Sequence, residues 1–123
     1  MLQTKEVKEL LLRARDSWET LRDFQSGKAV EDSELKKAVV ELRDSLLRVS
    51  HLVLPSLVAM GFKSDQLTVF LNISNSIRAT LDFYLACLEL SLEESSRRAA
   101  LAICLASAPP IETWLTFLEK MNH

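Results

Sequence analysis

The chain has almost no means of turning. Two glycines, Gly27 and Gly61, and three prolines, Pro55, Pro109 and Pro110, are all the residues of either kind in 123 positions. That share is far below average, so the elements are long and the connections few. The 23 leucines outnumber the β-branched residues that favour sheet. Unbranched side chains lose little rotamer freedom in a helix, so the expected fold is all-α, one domain with a bundle of about five helices.

Apolar spacing locates them. Thr4 is a candidate N-cap, and Val7, Leu10, Leu11, Ala14, Trp18 and Leu21 form one stripe of a helix over 4–26, which Gly27 stops. A second helix over 32–60 carries Leu35, Val39, Leu42, Leu46, Val49 and Val53 at alternating spacings of four and three, the seam of an antiparallel bundle. At about 43 Å it is longer than the roughly 35 Å breadth of a compact globule of this size. Pro55 therefore reads as a kink or a break that folds the last turns back over the core. Ser56 is expected to bond back to the Leu52 carbonyl and ease that distortion.

The third helix, over 64–89, opens at Ser64 and buries Leu67, Phe70, Leu71, Ile77, Leu81, Tyr84, Leu85 and Leu88. Its start also alternates with period two, as a strand does, but the chain offers nothing for a strand to pair with. The polar run from Asn72 to Arg78 reads as a solvent-facing stripe with Arg78 paired to Asp82, or else as a contact patch. In the fourth helix, over 91–107, Ser91 and Glu94 stand in capping-box spacing. Its body, AALAICLA, is apolar on every side and is expected to be buried all round. The fifth, over 110–121, places Pro110 in its first turn and carries Ile111, Trp114, Leu115, Leu118 and Met121, with Phe117 to one flank.

Chemistry is hard to find in this chain. Two glycines 34 residues apart build no phosphate-cradling loop. His51 and His123 have no metal-ligand spacing with cysteine or each other, so neither metal nor cofactor is expected. His51 reads as a partly buried structural histidine, and Cys87 and Cys104 read as small core residues with reduced thiols. No stretch of about 18 residues is free of charge, and the start lacks a signal peptide's apolar core. A soluble intracellular protein with no membrane contact is expected.

Charge is unevenly spread. Residues 1–50 hold ten basic and ten acidic side chains, and residues 51–123 hold five and seven. The back half thus carries more apolar surface than one small domain is expected to bury, and such surface marks interaction sites. The function expected is non-enzymatic binding of another protein, of a second copy, or both, as an adaptor, inhibitor or small subunit. The predicted surface is Trp114, Phe117, Leu118 and Met121, helped by Leu57 and Met60. A rival places Lys36, Lys37, Arg43, Arg97 and Arg98 against a nucleic-acid backbone, although the net charge of −2 gives no electrostatic reason for it. An enzyme with a dispersed site is a weaker rival still.

Overall fold

The structure, a computed structural model, describes residues 4–107 and 111–121. They form five helices: α1 (Thr4–Gln25), α2 (Asp32–Ala59), α3 (Ser64–Glu89), α4 (Glu94–Ser107) and α5 (Ile111–Met121). No strand occurs among the described residues, and the period-two stretch over 67–73 is helical. Thr4 already lies within α1. The proposed roles of Pro110 and His123 fall outside the described residues.

The two glycines end the two helices that precede them. Lys28 N–H donates to the Asp23 carbonyl and Gly27 N–H to that of Phe24, and the same double bond recurs from Phe62 to Leu57 and from Gly61 to Val58. This motif needs a left-handed residue, and Gly27 and Gly61 supply it at φ of 105° and 95°. The third turn has no glycine, so Ser91 takes that conformation at φ 54°. Ser91 is thereby spent on ending α3, and α4 starts only at Glu94. The capping box expected from Ser91 and Glu94 does not form. At the start of α3, Gln66 accepts the Lys63 amide at 2.8 Å, and Ser64 is already helical.

The helices stand at the corners of a square. α2 packs on α1 and α3, α4 packs on α3 and α1, and α5 packs on α1, whereas α1 and α3 make no comparable contact and lie diagonally. All six residues of the predicted α2 seam are buried. Flanking them, Ser50 donates to the Leu46 carbonyl at 2.8 Å, and its hydroxyl lies in hydrogen-bond contact with that of Ser74 of α3 at 2.8 Å. Small hydroxyls satisfied by one another let α2 and α3 approach closely at no desolvation cost.

Several expectations are corrected. Of the kink or break expected at Pro55, the break does not occur, since α2 runs unbroken through it. Ser56 is buried, but its hydroxyl finds no hydrogen-bond partner. His51 is exposed, because it lies opposite the α2 seam. Asp82 bonds Arg43 of α2 at 3.0 Å rather than Arg78 of its own helix. α4 is not buried all round either. Leu101 and Cys104 face inward, while Ala99, Ala102, Ile103 and Ala106 are exposed, since α3 and α1 cover one side of it.

One corner of the core is polar. The Tyr84 hydroxyl, Asp32 Oδ1 and Arg97 Nε are buried without hydrogen-bond partners, and Arg97 Nε stands 3.9 Å from Asp32 Oδ1. Burial pushes the Tyr84 phenol up to about 12, with Arg97 opposing it. A buried hydroxyl without a partner costs about 1 to 3 kcal/mol. Tyr84→Phe is therefore expected to leave stability at pH 7 unchanged or raised, by denaturant unfolding. A phenol whose pKa is raised on folding stabilises the fold below its unfolded value and loses that contribution as pH climbs from about 10 to about 12. Part of the alkaline loss of stability should disappear in Tyr84→Phe, and an unchanged alkaline profile would contradict the assignment.

Candidate interaction surface

The fifth helix is mostly spent on the core. Ile111, Trp114, Leu115 and Leu118 are buried. Trp114, 9% exposed, has its ring 5.1 Å from Phe70 of α3 and stacks on Phe117 at 5.4 Å. The expectation that Trp114 faces outward is thus corrected: this ring fills the gap between α5 and α3. Leu57 is also fully buried, beneath the turn that ends α2. Met121 is half-buried, and Phe117 and Met60 are exposed, Phe117 at 37%.

Polar contacts fix α5 in that orientation. Arg15 of α1 reaches Glu112 at 2.7 Å and Glu119 at 2.6 Å, and the Trp18 indole N–H donates to Glu112 at 2.7 Å. The Glu119 hydrogen bond, helped by both carboxylates' charge, holds the Arg15 pKa above its ordinary value. Exposed pairs of this kind contribute up to about 1 kcal/mol each. Their value here is orientation, since glutamates two turns apart can both meet Arg15 only on one face of α5.

The basic residues are similarly engaged. Lys36 pairs with Asp32 at 3.1 Å and lies 3.9 Å from Glu89. Arg43 bridges Asp44 and Asp82 at 2.9 and 3.0 Å. Arg97 donates to the Leu92 carbonyl at 2.8 Å. Arg98 donates to the carbonyls of Phe24 and Lys28, pairs with Glu94 at 2.9 Å and lies 4.5 Å over the Phe24 ring. Lys37 is exposed beside Glu34 and Glu41 in an open groove between α1 and α2. Apart from Lys37, these cations brace helix ends and neighbouring helices.

No group of three histidine, cysteine or acidic side chains among the described residues could hold a metal ion. Burial pushes the Cys104 thiol up, aided by nearby Cys87, which makes it a poor nucleophile.

Open surface lies instead on α3 and α4. Along α3, Val69, Asn72, Ser76, Ala79, Phe83, Ala86 and Leu90, the residue just past its end, are all exposed. Their spacings alternate between three and four, which aligns them on one outward stripe about 33 Å long. None is ionisable, and Phe83 and Leu90 are 60% and 69% exposed. Cys87, on the flank of this stripe, lies near Cys104 of α4, so α4 borders it. The uncharged outward side of α4, with Ala99, Ala102, Ile103 and Ala106, continues the surface.

Sequence reasoning had reached Asn72 and Ser76 as part of a contact patch but missed the stripe. Its residues are mostly small, so it was outweighed by the bulkier core stripe on the same helix. The available signal was seven residues at heptad-like spacing with no charge among them.

Comparison with family models, with curated proteins and with solved structures finds no match to this chain. No single helix among the described residues is long and apolar enough to cross a membrane.

The two stacked aromatics of α5 should separate sharply under mutation. Trp114→Ala is expected to cost about 3 to 5 kcal/mol, as large core truncations do. Phe117→Ala, at the edge of the same stack, should cost about 1 kcal/mol. Urea unfolding of both variants checks this, and comparable losses would contradict the burial assigned to Trp114.

Proposed function

We propose that this chain is a non-enzymatic protein-interaction module, an adaptor, inhibitor or small helical subunit. It presents the outward side of α3, continued by α4, to another polypeptide. The observation that carries this reading is the uncharged stripe from Val69 to Leu90. A monomer's solvent-facing helix side is ordinarily polar and charged, and interface cores are depleted of charge. Phe117 and Met60 remain candidate edge contacts, being exposed, whereas Trp114, Leu118 and Leu57 are buried in the core.

A bend at Pro55 belongs to the same reading. Proline strips the His51 carbonyl of its helical partner, and a bend there would carry exposed Val58 and Met60 around the end of the bundle. The nucleic-acid rival draws little support, because Lys36, Arg43, Arg97 and Arg98 are held by neighbouring carboxylates and carbonyls.

The surface is tested by co-purification from the native cell with tagged wild-type chain, Phe83→Glu and Glu9→Lys. Both positions are exposed, so both variants should fold with melting temperatures close to wild type. Bound protein is expected to be lost with Phe83→Glu and retained with Glu9→Lys. A partner retained equally by both variants would refute the assignment.

A further inference from the structure

The stripe on α3 fits its own reverse. Run antiparallel against a copy of itself, with the two-fold axis level with Leu81, it brings Phe83 of one chain opposite Ala79 of the other. Leu90 then falls opposite Asn72, and Ala86 opposite Ser76, so Phe83 and Leu90 each meet a smaller residue, while Val69 falls past the end of the other copy's α3. Such self-complementarity is what an isologous contact requires, and facing layers of large and small residues are how antiparallel helices interdigitate.

We infer that the partner on this surface is a second copy of the chain, docked by antiparallel packing of α3 on α3. This rests on the interaction reading given above. Charge favours it, because none of the stripe residues is ionisable, so the middle of the contact holds no stripe charge, and exposed Asp65 and Glu93 lie at its ends. Asp82, beside the two-fold axis, is already bonded to Arg43 at 3.0 Å, which tempers its repulsion with its own copy. Area favours it as well. The α3 stripe alone covers about 330 Å² per copy at a helix width of roughly 10 Å, too little for a stable contact. With the adjoining side of α4 the two copies together bury about 1,000 Å², the threshold for a specific interface. An interface of that size lies at the small end of specific contacts, so the dimer is expected to be reversible.

Sedimentation equilibrium on the full chain between about 1 and 200 µM tests this. The wild-type mass is expected to climb from 13.9 kDa toward twice that value. Ala79→Glu, at an exposed helical position, should keep its helix content and raise the dimer dissociation constant about a hundredfold or more, because each copy would bury an unpaired carboxylate. Phe83→Lys should be monomeric for the same reason. Mixed in equal amounts, the Ala79→Glu and Phe83→Lys chains are expected to associate, since antiparallel packing sets Glu against Lys. A mixture that stays monomeric overturns the antiparallel register, and a wild-type dimer undisturbed by Ala79→Glu overturns the surface. Wild type that stays monomeric at 200 µM overturns self-pairing. In that case a bound protein stripped by Phe83→Glu in co-purification would leave the broader interaction reading standing, and its absence would remove both.

Discussion

The bundle depends on the breadth of the face that α2 buries. Its buried residues, from Ser45 and Ala38 on one flank to Ser50 on the other, span about 140° at 100° per residue, against the roughly 100° of an ordinary surface helix. One helix can hold two neighbours at a right angle only with a face that wide. The flanks are small residues, which bring α1 and α3 close, and the centre is leucine and valine, which fill the space between them. α1 and α3 consequently lie on a diagonal, and the square needs a fourth side.

That side is closed by two short helices. α4 begins where Arg98 is tied to the end of α1, and α5 lies farther back along α1, held by Arg15 and Trp18. Each short helix buries only the side it turns to the diagonal pair. α4 therefore stays half outside although its sequence is apolar all round, and α5, with its stripe driven inward by the clamp, stays mostly inside.

The differences between sequence and structure have separate physical causes. Alanine is apolar in a sequence but costs little in water, so AALAICLA said less about burial than its hydropathy suggested. The seam of α2 was legible because leucine and valine at spacings of three and four have no comfortable exposed arrangement. Trp114 was misplaced because spacing gives the direction of a side chain but not what stands there; Phe70, 44 residues earlier, supplies the contact. The Ser91–Glu94 pair failed for a backbone reason, since a turn without glycine takes the nearest tolerable residue into the left-handed region. The α3 stripe was missed because small residues at a regular spacing look like filler until the opposite side of their helix is known to be core.

The uneven charge distribution acquires a meaning in three dimensions. Of the seven acidic residues beyond position 50, Asp82, Glu89, Glu112 and Glu119 each meet a basic residue from the first 50, namely Arg43, Lys36 and Arg15. Glu94 is taken by Arg98 within α4. The back half thus turns four of its seven acidic residues toward the front half, where they fix the register of α3 and α5 against α2 and α1. Individually such pairs stabilise little. Collectively they leave the far side of α3 and α4 nearly free of ions, although a helix in water gains solubility by carrying them. A chain that needed only to fold would have no physical reason to clear charge from 33 Å of one helix while keeping 20 charged residues in its first 50.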